Sequence, residues 1–164
     1  MLYLLDANVL IDANRDYYPL GRVPEFWEWL VDRASAHEVK IPLEMYEEIL
    51  AGREDDLTRW LKDNRDVLLL DEHVNETLVA RVTGQGYAPD LSDEEIERVG
   101  RDPFLIAYAL GDPARRTVVT TEVSKPKKKR ANRHIPDVCE DLHVRHCNTY
   151  QFIEALDFTT GRQA

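Results

Sequence analysis

The fold is indicated by residues 1–14, which read Met1-Leu-Tyr-Leu-Leu-Asp6-Ala-Asn8-Val-Leu-Ile-Asp-Ala-Asn14. Residues 2–5 form an apolar run that predicts a buried strand, and this strand ends at the carboxylate of Asp6. A carboxylate that interrupts two apolar runs needs a buried partner or a cation. In open α/β sheets, ligands bind at the carboxyl edge of the strands. The stretch therefore predicts a ligand site that includes Asp6.

The composition fits a single domain with a packed core. The chain has 164 residues, of which 43% are hydrophobic, so we expect one domain over residues 1–164. Its apolar runs are shorter than the roughly 18 residues of a membrane span, and the first one lacks the basic flank of a signal peptide. Cys139 and Cys147 fit no ligand or redox spacing. We expect reduced thiols and a cytoplasmic location.

The charge is acidic overall but uneven along the chain. With 21 basic and 31 acidic residues, the net charge of −10 argues against a protein that coats nucleic acid. A segment without acids, called here the basic loop, contains Lys125, Lys127, Lys128, Lys129, Arg130 and Arg133. Such charges hold phosphate backbones, so the basic loop could bind RNA. A solvated loop and a docking site for an acidic partner are the alternatives.

Strand and helix signals alternate along the chain. Short apolar segments predict strands at residues 2–5, 39–41, 67–70 and 117–120 and near Val144. Amphipathic or apolar stretches between them predict helices, one of which is expected to end near Gly84 and Gly86. This alternation indicates an α/β fold with a parallel sheet and helices on both faces.

Four acids are candidates for one site, namely Asp6, Glu48, Asp102 and Glu122. Asp6 and Glu122 each follow an apolar strand, and Asp102 begins a predicted buried helix. In a parallel sheet these three positions share the carboxyl edge. Two carboxylates at 4 Å repel by about 4 kcal/mol at an effective dielectric of 20, so the cluster needs a proton or a cation. Oxygen ligands suit Mg²⁺ or Mn²⁺, which serve phosphodiester hydrolysis.

Each of these acids also has a purely structural interpretation. Asp102 could be a helix N-cap, Glu48 a solvated helix residue and Glu122 a turn residue. Helical periodicity does not separate Glu48 from Glu47, because both lie off the apolar face of their helix.

Four other polar residues are open to two interpretations. Asn8 and Thr120 could bind an acid or a phosphate, or could make only a local turn or cap bond. Tyr17 and Tyr18 could stack on bases, or could pack against the helix that carries Trp27.

Four motifs resemble those of PIN-domain ribonucleases in order and spacing. The first motif of that family is similar to the segment Leu4-Leu-Asp6-Ala-Asn8-Val-Leu-Ile of this chain. The second is similar to Ile41-Pro-Leu-Glu-Met-Tyr-Glu-Glu48-Ile-Leu-Ala-Gly52, and this alignment selects Glu48 over Glu47. The third is similar to Asp102-Pro-Phe-Leu-Ile-Ala-Tyr-Ala109, and the fourth to Val118-Val-Thr120-Thr-Glu122, which more often ends in Asp. The tail, with Ile135-Pro-Asp-Val-Cys139 and Asn148-Thr-Tyr-Gln-Phe152, resembles a prokaryotic toxin-type subgroup similar to VapC-type toxins.

The resemblance implies a three-layer α/β/α fold with a central parallel sheet of about five strands. It also implies Mg²⁺- or Mn²⁺-dependent cleavage of single-stranded RNA by a toxin with a cognate antitoxin, and a possible homodimer. Asp6 and Asp102 would bind the principal metal, and Glu48 would ligate it or orient water. Glu122, one methylene longer than the usual Asp, would complete the site or hold a second ion.

Two other functions are weighed against the nuclease. A haloacid-dehalogenase-like phosphatase would use Asp6 as its nucleophile, but that family expects a second Asp at Asn8 and a Thr or Val at Leu10. A catalytically inactive PIN-like module would bind RNA or protein, yet it has no reason to keep four acids that repel one another. Metal dependence separates the nuclease from the inactive module.

Overall fold

The computed structural model describes residues 1–161, which contain a four-stranded sheet. The strands are β1 (Leu2–Leu5), β2 (Val39–Lys40), β3 (Arg116–Val119) and β4 (Arg145–Cys147). Their order in the sheet is β2-β1-β3-β4, and each neighbouring pair is parallel. The predicted α/β class and parallel sheet are thus confirmed, while residues 162–164 of the predicted domain lie outside the described residues.

Helices connect the strands. The ten α-helices of residues 1–161 are α1 (Ala7–Asp12), α2 (Pro24–Ser35), α3 (Leu43–Leu50), α4 (Asp56–Asp63), α5 (Arg65–Leu68), α6 (Glu76–Arg81), α7 (Asp93–Val99), α8 (Asp102–Leu110), α9 (Ile135–Asp141) and α10 (Thr149–Ala155). Two π-helical segments, Ala13–Tyr17 and Val82–Tyr87, extend α1 and α6, and a 3₁₀ turn spans Arg130–Asn132. Single π-helical turns are rare and frequently lie at functional sites.

The sheet has four strands within the described residues, rather than about five. The strand predicted at residues 67–70 does not form, because α5 keeps the chain helical as far as Leu68. Only a parallel bridge between Ile41 and Leu69 remains, with the Ile41 N–H donating to Leu68 O over 2.8 Å and the Leu70 N–H donating to Ile41 O over 2.9 Å. A bridge therefore stands where a fifth strand was expected.

Both faces of the two central strands are buried. Leu4 and Leu5 of β1 are fully buried, and so are Val118 and Val119 of β3. Successive strand residues point to opposite faces, so other parts of the chain cover the sheet on both sides. The polar residues that follow β1 and β3 accordingly lie at the carboxyl edge of a sheet with both faces covered.

The helix that was predicted to end near Gly84 and Gly86 continues from α6 through the π-helical segment Val82–Tyr87 and ends one residue after Gly86, as predicted. Gly86 is required there for close packing, since a Cβ atom at this position would lie 2.6 Å from Val138 Cγ1 on α9. The segment therefore packs tightly against α9 and fixes the position of Tyr87, its last residue.

Two expectations from composition concern the membrane and the thiols. Among residues 1–161, no helix combines the length and the apolar character needed to cross a bilayer. Cys139 and Cys147 are both free, and Cys139 is buried.

Candidate active site

Asp6 and Thr120 lie side by side at the carboxyl edge of the sheet. The Asp6 N–H donates to Val119 O over 2.9 Å, which extends the pairing of β1 with β3 by one residue. In this register Thr120 Oγ1 donates to Asp6 Oδ2 over 2.8 Å, and both residues are buried. Thr120 Oγ1 also accepts from the Glu122 N–H over 3.2 Å. The hydroxyl thus makes both the bond to an acid and the local turn bond.

The four predicted acids interact electrostatically, and we call them the acid cluster (Asp6, Glu48, Asp102 and Glu122). Burial first, and then the charges of Glu122 and Glu48, raise the pKa of Asp6 to about 6, against the hydrogen bond from Thr120. Burial first, and then the charges of Asp6, Glu122 and Glu48, raise the pKa of Asp102 to about 8. The part of each shift that comes from like charges requires other carboxylates nearby, which is consistent with the four acids lying in one region of the fold.

Asp102 is not the N-cap of its helix. Arg101 occupies that position with a backbone that is already close to helical (φ −97°, ψ −2°), so Asp102 is the first residue of α8. No side-chain cap bond closes this helix start. The capping interpretation of Asp102 is therefore wrong, because the helix begins one residue earlier than the sequence indicated.

The structure separates Glu48 from Glu47, which helical periodicity could not. Glu47 is exposed, and its Oε2 lies 3.2 Å from Nη1 of Arg101. Glu48 is half-buried, and burial raises the pKa of its carboxyl while the positive charge of Arg101 lowers it. Because the charge of Glu48 acts on both Asp6 and Asp102, the register chosen by the motif is the one that contributes to the acid cluster.

Glu122 has a structural partner in addition to its place in the acid cluster. Its Oε2 accepts from the Ile135 N–H over 2.7 Å at the start of α9. Two residues later, Ser124 Oγ donates to Asp137 Oδ1 over 2.5 Å, and the Lys125 N–H donates to Asp137 Oδ2 over 2.8 Å. The chain that leaves β3 is thus tied to α9, and the Glu122 carboxylate is part of that attachment.

The donor set fits Mg²⁺ or Mn²⁺ in its chemistry. All four members are carboxylates, and the pKa of Asp102 is raised by burial and by three like charges. Within residues 1–161, no group of three or more His, Cys, Asp or Glu side chains is placed so that it could hold an ion by itself. Mg²⁺ is commonly bound through one or two carboxylates together with substrate phosphates, and Asp6 and Asp102, whose pKa is raised to about 6 and about 8, could provide them.

Two residues that the sequence did not single out lie beside the acid cluster. Tyr87 is buried, and its hydroxyl has no hydrogen-bond partner in the described part of the chain. Burial first, and then the charges of Asp102 and Glu122, raise the pKa of Tyr87. Arg101 donates to Glu44 O over 2.9 Å, within the second motif. The sequence features that could have pointed to them are the glycine that precedes Tyr87 and the position of Arg101 directly before Asp102.

Three residues with two interpretations now differ from one another. Asn8 is exposed, and none of the side-chain hydrogen bonds found in residues 1–161 involves it. Tyr18 stacks on Phe26 with ring centroids 4.5 Å apart, so it belongs to the packed core. Tyr17 instead is 55% exposed and meets the ring of Tyr150 edge-on at 6.2 Å.

The basic loop divides into two groups. Arg130 forms ion pairs with Asp90 and Glu95 at 2.8 Å each, and Arg133 forms one with Asp141 at 2.7 Å. The exposed members of the loop also include Lys125, Lys127, Lys128 and Lys129. The two arginines therefore hold the loop to the rest of the protein. The four lysines form a positively charged, exposed segment that begins three residues after Glu122 in the chain.

A family model covers almost the whole chain. The model, described as "Domain of unknown function (DUF4411)", matches residues 3–160. Its description names neither a PIN domain nor a toxin, so the relation to PIN-domain toxins stays a prediction. No curated protein matches the chain.

Proposed function

The chain belongs to the family described as "Domain of unknown function (DUF4411)", and we propose that it is a metal-dependent endoribonuclease of the PIN class. One observation carries the proposal: Asp6 is buried and Asp102 is half-buried, and the pKa of these two acids is raised to about 6 and about 8. Part of each shift comes from other carboxylates of the acid cluster. Such a cluster is stable when a proton or a cation joins it, and carboxylates with Mg²⁺ or Mn²⁺ are suited to phosphodiester hydrolysis.

Each residue of the site would have a separate role in metal binding, water activation or phosphate binding. Asp6 and Asp102 would hold Mg²⁺ or Mn²⁺, which supplies a water of lowered pKa and stabilises the leaving oxygen. Thr120 fixes the Asp6 carboxylate through its 2.8 Å hydrogen bond. Glu48, whose pKa burial raises, can accept a hydrogen bond from the attacking water. The buried hydroxyl of Tyr87 can donate to a phosphate oxygen.

The finer parts of the proposal rest on the four motifs that resemble PIN-domain ribonucleases. They are single-stranded RNA as the substrate, the role of a toxin with a cognate antitoxin, a homodimer and a cytoplasmic location. Burial on both faces of β1 and β3 supports the three-layer α/β/α arrangement. The bridge at Leu69 supports a sheet that approaches five strands. The exposed lysines of the basic loop support contact with an RNA backbone.

One observation favours a catalytically inactive PIN-like module as the second candidate. Glu122 Oε2 is engaged by the Ile135 N–H, and within the described residues no three acids are positioned to hold an ion by themselves. A module of this kind would bind RNA or protein without cutting RNA.

The test is cleavage of a mixed RNA pool by purified protein with Mn²⁺, with Mg²⁺ or with EDTA. We expect cutting that requires metal and is lost in Asp6→Asn. Glu48→Gln should lower the rate by about 10²–10⁴-fold, as for loss of a positioned acid–base group. Glu47→Gln is the matched control, since Glu47 is exposed on the same helix, and it should cut at nearly the wild-type rate.

The candidates are separated by how the reaction fails. Cutting that resists EDTA, or that Asp6→Asn leaves intact, would remove the acid cluster from the chemistry. RNA binding without cutting under either metal would identify the inactive module.

A further inference from the structure

We propose that a cavity whose lining includes both chain neighbours of Glu122 binds one unpaired nucleobase of the RNA substrate. The cavity has a volume of about 260 Å³ and is lined by residues that include Tyr17, Thr121, Val123, Thr149 and Tyr150. This inference rests on the proposed nuclease function, because it assigns a base-binding subsite to the same RNA.

The cavity is lined by residues from two chain segments that also carry members of the acid cluster. Thr121 and Val123 precede and follow Glu122 directly after β3, and both line the cavity. Tyr17 ends the π-helical segment that extends α1, the helix that starts immediately after Asp6. Two walls of the cavity therefore continue from residues of the acid cluster. In this proposal, a nucleotide whose phosphate lies at the acid cluster places its base in this cavity.

The walls of the cavity have the chemistry that a base requires. Tyr17, Val123 and Tyr150 are 55%, 71% and 62% exposed, and they are three of the six large apolar side chains exposed within residues 1–161. Aromatic rings of this kind stack on bases in proteins that bind single strands. Thr149 adds a buried hydroxyl oxygen without a hydrogen-bond partner in the described residues, and the edge of a base can bond it.

The size of the cavity selects the ligand. Pockets for drug-sized molecules span roughly 300–1,000 Å³, so a cavity of about 260 Å³ suits a single ring system. A paired base cannot enter it, because its edge is occupied and its faces are stacked in the helix. The subsite therefore predicts that unpaired segments are cut, with a base preference at one position next to the cleaved bond.

The binding test uses the full chain carrying Asp6→Asn, so that the RNA stays intact. The probe is a short single-stranded RNA with 2-aminopurine at successive positions, whose fluorescence is quenched when the base stacks. We expect quenching at one position only. Tyr150→Ala should remove the quenching and weaken binding by about 5- to 150-fold, equivalent to about 1–3 kcal/mol.

Matched variants separate stacking from folding. Tyr150→Phe keeps the ring and should retain quenching, while Ile96→Ala removes an exposed apolar side chain that does not line the cavity. Tyr17→Ala should weaken quenching in the same direction as Tyr150→Ala. Circular dichroism of each variant checks that its secondary structure is intact. Equal quenching in wild-type and Tyr150→Ala backgrounds, or no quenching at any position, would overturn the subsite.

Cleavage by the protein without Asp6→Asn distinguishes the two proposals. Metal-dependent cutting with the same KM and base preference in Tyr150→Ala would leave the nuclease and remove the subsite. Quenching that depends on Tyr150, without cutting under any metal, would leave the subsite and remove the nuclease. If both hold, Tyr150→Ala raises KM and flattens the base preference. If a partner protein fills the cavity and Tyr150→Ala changes neither RNA binding nor RNA cleavage, the ligand of the cavity is a side chain of that partner and not a base.

Discussion

The acid cluster and the basic loop differ in how the fold treats their charges. In the acid cluster, burial and like charges raise the pKa of Asp6 and Asp102. In the basic loop, Arg130 and Arg133 lie in ion pairs with acids of the same chain, and the lysines are exposed to water. Charges that are paired or hydrated are stable without a ligand. Buried charges of one sign are not, so the acid cluster is the better indicator of function.

The largest effect is expected for Asp102→Asn, which tests whether RNA cleavage requires the acid cluster. Cleavage with Mn²⁺ should fall to the background rate, because the variant lacks one of the two carboxylates that would hold the metal. The same variant should unfold at a higher urea concentration in EDTA at pH 9, because it removes one of several charges that repel. Rates of RNA cleavage and urea midpoints measure the two effects.

Asp66→Asn is the control for this substitution, because the Asp66 side chain is fully exposed. Neither cleavage nor the urea midpoint should change in it. Cleavage at the wild-type rate by Asp102→Asn would mean that the acid cluster, like the basic loop, has no demonstrated role in the chemistry.

The next effect is the pH dependence of stability without metal. The folded protein holds protons on Asp6 and Asp102 up to about pH 6 and about pH 8, whereas the unfolded chain releases them near pH 4. More protons are bound in the folded state within this window, so stability falls as the pH rises from about 4 through 8, on the order of a few kcal/mol. Urea midpoints in EDTA across this range measure the decline.

Metal ions and substitution should both flatten this pH profile. Mn²⁺ should stabilise the protein more at pH 8 than at pH 5, because protons compete with it for the carboxylates. Asp102→Asn should make the profile in EDTA shallower. Identical profiles for wild type and Asp102→Asn would mean that Asp102 does not titrate in this window.

A smaller effect tests the structural role of the basic loop. Arg133 donates to Gly86 O over 2.6 Å and to Asp137 O over 3.2 Å, and its side chain is mostly buried. Arg133→Ala should destabilise the fold by about 1–3 kcal/mol, since buried carbonyls lose their donor. Arg130→Ala is the comparison and should have a smaller effect, because its ion pairs are solvent-exposed. Equal urea midpoints in the two variants would contradict this ranking.

The smallest effect on stability is expected at the exposed lysines. Neutralising Lys127, Lys128 and Lys129 together should leave the urea midpoint unchanged, because these side chains lie in water. If the lysines contact RNA, the slope of log affinity against log salt should become shallower by about 2, or roughly 0.7 for each lost contact to a single strand. Filter binding over a salt series measures this slope, and an unchanged value would leave the lysines without a role in RNA binding.

Prediction from sequence succeeded where the signal was local and failed where it depended on packing. Strands β1 and β3 were predictable because apolar runs end there at polar residues. The strand at residues 67–70 was not, since α5 extends through Leu68 although the apolar run of these residues resembles a buried strand. The helix end near Gly86 was predictable, whereas the close approach of Gly86 to Val138 depends on packing.

The site was predictable to a similar extent. Motif spacing selected Glu48 over Glu47, and the structure gives the physical difference between them, which is burial. Tyr87 and Tyr150 could not be identified in advance. Their roles depend on neighbours far away in sequence, Asp102 for Tyr87 and Tyr17 for Tyr150.

The sequence by itself determined the alternation of strands and helices and the parallel sheet, because these follow from apolar runs along the chain, and the resemblance to PIN-domain motifs proposed the four acids. Only the tertiary structure decided which charges are buried, which are paired and which rings border a cavity. Burial and proximity arise when segments distant in sequence pack together. The free energy of a charge depends on those surroundings far more than on its immediate neighbours in the chain.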